Sequence, residues 1–305
     1  MAPSKDIHAE TPTRGRLRLR SVGLSSIRKP LVISRPGRVN SLAVDFRIAV
    51  DLPSSRKGSD LSRNAEILAE IVDTTVARPA EGLEAACSAI SRELLARHAY
   101  ATEASVEASA EYFLRRGIRE ERSSFEDYTL IAEARASRSA DGTIVVRRAV
   151  GAEAVGMTAC PCAMETCRER LLAEYPALAD PTLRELPMIT HNQRNRTRLV
   201  LELSGEADVE VDEIIEAIEA AQSSPTYAIL KRGDEAQVVL NAHRRPRFVE
   251  DVLRELLHGL VGRFPGLPDS VVVRASTVSE ESIHKYNVEA EHRITFGELR
   301  LELDA

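Results

Sequence analysis

The sequence predicts an α+β fold built from two successive copies of one antiparallel β-β-α-α-β-β plan. Three observations carry that prediction. Strands with strict period-two alternation recur along the 305-residue chain. Each half sets helix-like segments between its strand pairs. The halves also share letters: "SRELLARHAYATEASVEASAE" from Ser91 and "LRELLHGLVGRFPGLPDSVVVRAS" from Leu253 both run Arg-Glu-Leu-Leu, a turn, then an alternating strand. An internal duplication with a boundary near residue 140 accounts for all three.

Taken in order, residues 1–15 are polar and read as a flexible arm, with modules at 16–140 and 141–305. The first module opens with "RLRLRSV" and then "LAVDFRIAVDL", which places Leu42, Val44, Phe46, Ile48, Val50 and Leu52 on one strand face. Leu61 to Val76 reads as helix, and a second helix carries Leu83, Cys87, Ile90 and Leu94 on one stripe. Alternation returns through Ala104, Val106, Ala108, Ala110 and Tyr112, and again through Tyr128, Leu130, Ala132 and Ala134. The second module starts with "TIVVRRAVGAEAVGM" and "RTRLVLEL", the latter alternating through Leu199, Leu201 and Leu203. "VDEIIEAIEAA" is a short helix. "RFVEDVLRELLHGLVGRF" is a clearer one, turning Val249, Val252, Leu253, Leu256, Leu257 and Leu260 inward. "DSVVVRASTV" and "HRITFGELRLEL" close the set as strands, with a bulge at Gly297 returning Leu299, Leu301 and Leu303 to the apolar face. Sheets of this kind leave edges unpaired, so closure through oligomerisation is expected.

Composition narrows the function. Apolar residues at 43% and charged residues at 29% describe an ordinary soluble globular chain. No apolar run reaches membrane length, and the amino terminus lacks a signal-peptide centre. Four cysteines without a secretory signal point to the reducing cytoplasm. A net charge of −6 argues against nucleic-acid or membrane partners, and the absence of Trp against a base-stacking platform.

The segment "VGMTACPCAMETCRERLL" holds Cys160, Cys162 and Cys167, three of the four cysteines. An isolated cysteine is ordinarily a small buried residue, the reading given to Cys87 and Cys167. Cys160 and Cys162 differ because they sit at a strand exit beside a proline, where side chains converge on pockets. A C-x-C pair is poorly spaced for a redox dithiol, and no second close pair completes a structural zinc site. His191 in "THNQR" stands at a strand entrance within a polar cluster that includes Arg194. "SEESIHKYN" contributes Glu281 and His284, and "LKRGDEAQ" contributes Lys231, Arg232, Asp234 and Glu235, each read as a connection. A thiolate, imidazoles and a carboxylate from separate loops would suit a borderline divalent metal with a position open to water. Arg56, Lys57 and Arg63 in "SSRKGSDLSRN" would suit a polyphosphate, with a solvated loop an equally good reading.

"LPSSRKGSDLSRN", "GMTACPCAMET", "THNQR", "LKRGDE", "RFVED" and "ESIH", in this order, resemble the type IB GTP cyclohydrolases. The likeness runs from about Arg16 onward and is greatest to their archaeal, methanopterin-pathway branch. The helical insert "ETCRERLLAEYPALADPTLRELP" between the CPC and HNQR motifs is similar to that branch.

The resemblance implies the tunnelling fold (T-fold), with subunits assembled into a toroid as homodimers or homotetramers and active sites at their interfaces. It implies GTP as substrate, with Glu250 holding guanine through its N1–H and exocyclic amine. It implies one divalent metal per subunit, carried by Cys160 and His191, with Glu235 and His284 as further ligands. Fe(2+) is the expected ion, with Zn(2+) or Mn(2+) as alternatives. Cys160, Cys162, His191 and Glu281 are implied in the proton transfers of C8 hydration, ring opening and formate loss. Glu281 is either a ligand or a second-layer orienter. Arg56, Lys57, Arg63, Arg194, Lys231 and Arg232 are implied as contacts for the rest of GTP. The implied product is a 7,8-dihydroneopterin, as the 2′,3′-cyclic phosphate in the archaeal branch and the triphosphate in the bacterial one.

Overall fold

The computed structural model describes residues 6–10, 17–35, 37–118, 120–176, 186–203, 205 and 207–304. The elements run β1 (Leu19–Arg35), β2 (Arg38–Leu52), α1 (Leu61–Ala77), α2 (Leu83–Arg97), β3 (Glu103–Arg116) and β4 (Ser124–Arg138). The chain continues through β5 (Ile144–Ala159), α3 (Pro161–Glu174), β6 (Asn192–Leu203), α4 (Val211–Ala221), β7 (Ser224–Pro225) and α5 (Arg232–Arg244). It ends with α6 (Val249–Arg263), β8 (Val272–Ser279), β9 (Val288–Thr295) and α7 (Phe296–Asp304). The strands hydrogen-bond in the order β1-β2-β3-β4-β5-β6-β8-β9, with β7 paired to β5. The β1–β2, β2–β3, β5–β7 and β8–β9 ladders are antiparallel.

The chain forms two compact units, one of residues 1–111, 130–150 and 202–204, the other of residues 112–129, 151–201 and 205–305. In the first, the alternation of β2 is realised: Leu42, Val44, Phe46, Ile48, Val50 and Leu52 are all buried. Ile67, Leu68 and Val72 of α1 and Leu83, Cys87, Ile90 and Leu94 of α2 complete this core. β1 carries two register shifts against β2, and Gly23 lies so close to it that a Cβ would stand 1.9 Å from the Ile48 carbonyl oxygen. Residues 7–9 form a single helical turn whose His8 carbonyl accepts from the amides of Lys57 and Gly58. Residues 1–5 and 11–15 of the expected arm, and 177–185 of the insert, lie outside the described residues.

In the second unit, Val249, Val252, Leu253, Leu256 and Leu260 of α6 are buried with Val211, Ile214, Ile215 and Ile218 of α4 and Val273 and Ala275 of β8. Each such Val, Leu or Ile side chain contributes about 1.5–3 kcal/mol by leaving water. Leu257 is only half-buried. α6 is started by Asp251, whose carboxylate accepts the Phe248 amide at 2.9 Å.

Two expectations fail. The segment after Thr295 is helix α7, not a bulged strand, and only Leu299 is buried, with Leu301 and Leu303 exposed. The cause is a reciprocal cap: the Glu298 amide donates to Thr295 Oγ1 at 3.2 Å, and Glu298 Oε2 accepts the Thr295 amide at 3.0 Å. "LKRGDEAQ" is likewise no connection. Lys231 precedes α5, and Asp234, Val238 and Ala242 are buried at i, i+4 and i+8 along one helix face. Asp234 fixes this start by accepting the Lys231 amide at 3.2 Å and pairing with Arg122 at 2.6 Å.

Candidate active site

The site begins where β5 ends. Cys160 leaves β5 in extended conformation and caps α3, its sulfur accepting the Ala163 amide at 3.4 Å. Pro161 takes the first helical position, where a missing N–H costs nothing. This short cap lets a strand end turn directly into a helix with the thiol at the corner. Cys162 is thus inside α3 rather than at the strand exit, and it is exposed.

The same corner meets the entrance to β6. The Cys160 amide donates to the His191 carbonyl at 3.1 Å, and Thr190 Oγ1 donates to the Cys160 carbonyl at 2.7 Å. The preceding residue, Ala159, accepts the Arg247 amide at 2.9 Å. Arg247 also binds the last carbonyls of α4 through its guanidinium, and it lies just before Glu250 in the first turn of α6. Burial and the neighbouring Arg245 push the Arg247 pKa down, against the pull of Glu255 and Asp251. One arginine therefore ties the thiol corner to the start of the helix that carries Glu250.

Around His191 the side chains converge. Its Nδ1 lies 2.9 Å from Gln193 Oε1 and 3.8 Å from Glu281 Oε2, and both partners of the latter pair are close to nine-tenths buried. The His284 ring stands perpendicular to it at 6.5 Å and stacks on Tyr286 at 5.0 Å. Gln193 Nε2 reaches Glu281 Oε1 at 3.2 Å, Thr158 Oγ1 at 3.1 Å and Ser279 Oγ at 3.4 Å. β5, β6, β8 and the loop after β8 thus supply one polar group.

The sequence model of one family, described as type I GTP cyclohydrolase folE2, matches residues 5–290. The chain belongs to this family. Curated relatives include a GTP cyclohydrolase MptA of Methanococcoides burtonii, 38% identical over 99% of this chain and 98% of its own. Those of Methanosarcina acetivorans and Methanothermobacter thermautotrophicus are each 39% identical, over 98% and 94% of this chain and 97% and 92% of their own. The motif resemblance to the archaeal, methanopterin-pathway branch of these GTP cyclohydrolase enzymes is borne out. Among solved structures, uricases of Arthrobacter globiformis and Bacillus fastidious superpose with TM-scores of 0.55 and 0.54 at 10% and 9% identity. The first covers 93% of this chain and 96% of its own, the second 93% and 95%. At that identity the likeness is one of fold, and the fold is the tunnelling fold.

In this member of the cyclohydrolase family, the residues singled out from the sequence fall into groups. Cys160, His191, Glu281 and His284 lie in one neighbourhood. Glu235 and Arg232 are exposed on α5, and Lys231 is exposed at its start. Glu250 is exposed in the first turn of α6. Arg194 is exposed, with the alternation of β6 sending it to the face opposite Gln193. Arg56, Lys57 and Arg63 belong to the other compact unit, and each has an acidic partner: Asp60 at 3.4 Å, Glu10 at 3.9 Å and Asp60 at 3.0 Å. Arg56 also stacks on Tyr100.

The residue types suit a borderline divalent ion: His191 and Glu281 bring an imidazole and a carboxylate within 3.8 Å of each other, and the thiol-bearing Cys160 is joined to His191 through the main chain. His191 Nε2 has no hydrogen-bond partner among the described residues, so one ring nitrogen is open for ligation. Among the described residues no three His, Cys, Asp or Glu side chains already form a cluster able to hold an ion. Sequence reasoning missed Gln193, Thr158, Ser279 and Tyr286. Gln193 was legible in principle, because two positions along a strand share a face with His191.

Proposed function

We propose that this chain is a metal-dependent GTP cyclohydrolase that opens the guanine imidazole ring at C8 and releases formate. Its product is 7,8-dihydroneopterin 2′,3′-cyclic phosphate, the first intermediate of a methanopterin-type pterin pathway. The observation that carries the reading is the joining of the Cys160 corner to His191, with Glu281 3.8 Å from the imidazole, in a chain of the GTP cyclohydrolase family.

Cys160 and His191 would hold the ion, with Glu235, Glu281 or His284 completing the set; Fe(2+) is the expected metal and Zn(2+) or Mn(2+) the alternatives. When bound, such an ion supplies Lewis acidity that brings a water to a nucleophilic state near neutral pH. Glu250 accepts from guanine N1–H and the exocyclic amine, which orients C8 and rejects adenine. Addition of water at C8 needs a base, and opening of the C8–N9 bond needs a proton delivered to N9. Glu281, beside His191, would exchange those protons, and Cys162, two positions after Cys160, remains an exposed candidate. A second water releases C8 as formate. The freed amine then closes onto the rearranged sugar, and the hydroxyl beside the phosphorylated carbon attacks the α-phosphorus, expelling diphosphate. Arg56, Lys57, Arg63, Arg194, Lys231 and Arg232 are the candidate phosphate contacts, and the first three must exchange acidic partners to serve.

Assembly as a homodimer or homotetramer with interfacial sites is part of the proposal. It is supported by β1 and β9, which end the strand order as edges. So is a cytoplasmic location with neither nucleic acid nor membrane as partner; no described helix is long and apolar enough to cross a membrane.

The test is anaerobic reconstitution of the stripped protein with Fe(2+), Zn(2+) or Mn(2+), followed by GTP and mass spectrometry. Formate with a pterin cyclic phosphate is expected. A pterin triphosphate would correct the product, and no formate with any of the three ions would sink the activity.

A further inference from the structure

Gln193 lies two positions beyond His191 at the start of β6, so both side chains fall on one sheet face, and it is buried. Its amide orientation follows from its neighbours. An ionised Glu281 carboxylate only accepts, so the Gln193 atom 3.2 Å from it is the NH2 group. The hydroxyls of Thr158 and Ser279, themselves 2.9 Å apart, receive the same NH2 group. Oε1 must then face His191 Nδ1 at 2.9 Å. Two acceptors cannot bond, so Nδ1 carries the proton and the lone pair of the imidazole is on Nε2.

We infer that Gln193 is a positioning residue that sets the His191 tautomer and ring angle with its carbonyl while steadying Glu281 with its amide nitrogen. One side chain thereby presents an imidazole nitrogen and a carboxylate to the same ion. Glu281 prevents the amide from flipping, since a reversed amide would set its oxygen against the carboxylate, while the hydroxyls of Thr158 and Ser279 accept either orientation. The inference rests on the proposed metal site and adds what organises it. Outer partners of metal-ligating histidines typically govern affinity by about 10- to 100-fold.

The experiment is calorimetric titration of the metal-free full chain with Co(2+), alongside its visible spectrum. Gln193→Ala is expected to raise the Co(2+) dissociation constant by about 10- to 100-fold and to shift the cobalt bands. Gln193→Met, which keeps the volume without a polar atom, is expected to do the same and serves if truncation unfolds the chain. Gln193→Glu restores an acceptor for His191 but repels Glu281, and it should recover part of the affinity. Folded Ala and Met variants that bind Co(2+) within about twofold of the unaltered protein would overturn the inference. So would a Glu variant with no recovery, which would reduce Gln193 to packing. If the unaltered protein takes up no Co(2+), the metal reading itself fails, a result distinct from both.

Discussion

The backbone amide of Cys160 donates to the carbonyl oxygen of His191 at 3.1 Å, so the exit of β5 and the entrance of β6 share a hydrogen bond at the point where each presents its reactive side chain. The thiol and the imidazole are held in register by main chain, independently of the chemistry of either side chain. Replacing one side chain should therefore alter function without dismantling the corner.

Cys160→Ser tests that separation. Serine is a strong helix cap and can accept the Ala163 amide as the sulfur does, so α3 should start unchanged. The melting temperature is expected to hold or rise. Formate production from GTP should fall by at least about 100-fold, because a hydroxyl replaces the thiol in both ligation and proton transfer. A serine variant with undiminished turnover would remove Cys160 from the site.

Glu250→Gln addresses the substrate. Its exposed place in the first turn of α6 leaves the carboxylate free to receive a base, and the helix is started by Asp251 rather than by Glu250. An amide cannot accept from N1–H and the exocyclic amine together. Loss of one charge-assisted hydrogen bond is worth about 1.5–3 kcal/mol, or roughly 10- to 100-fold in kcat/KM for GTP. ITP lacks the exocyclic amine, so the ratio of GTP to ITP turnover should narrow in the variant. An unchanged ratio would assign guanine recognition elsewhere.

The strands were the most legible part of the sequence, because burial on one face imposes period two wherever the fold needs it. Leu42 through Leu52 and Leu199 through Leu203 are buried at every second position, although Ala49, Asp51 and Val200 between them are buried as well. The tail misled because its alternating letters also suit a short helix. What decides between them is the Thr295–Glu298 cap, a signal of spacing rather than hydrophobicity. Helix α5 was obscure for a related reason: one of its inward positions is Asp234, a buried carboxylate paired with Arg122, which no hydrophobic pattern marks. In the site, Cys160, His191, Glu281 and His284 stood out as reactive types in polar clusters. Gln193, Thr158 and Ser279 did not, since an amide and two hydroxyls have no distinctive spacing and gain a role only once three strands are adjacent.

Gly23→Ala should be among the most damaging small substitutions outside the site. The added methyl would stand 1.9 Å from the Ile48 carbonyl oxygen and 2.5 Å from the Ala49 Cα, both backbone atoms of β2. Neither can swing aside as a side-chain tip would. The β1–β2 ladder must shift where it is already irregular, between Leu19 and Val22 and between Leu24 and Ile27. A loss of about 1–3 kcal/mol is expected from urea unfolding, enough to lower the melting temperature by several degrees. Gly142→Ala, on an exposed turn with nothing near the would-be Cβ but with φ of +86°, should cost less, through backbone strain alone.

Asp51 should shape the acid limb of stability. Its carboxylate is buried and accepts the amides of Thr102 at 2.7 Å and Glu103 at 2.8 Å, the Thr102 hydroxyl at 2.9 Å and Arg18 at 2.8 Å. Burial alone would raise its pKa, but these donors outweigh it and hold the carboxyl below its ordinary value. A lowered folded-state pKa means the stabilisation is fully present above the unfolded value, about 3.9, and is lost as pH falls through the folded one. Asp51→Asn puts an NH2 group against a guanidinium or an amide and should cost about 1–3 kcal/mol at neutral pH. Below about pH 4 the unaltered protein loses this advantage as Asp51 protonates, so the two urea midpoints should converge on acidification. Midpoints that stay equally separated from neutral pH down to about pH 2 would show that Asp51 gives up no stability on protonation.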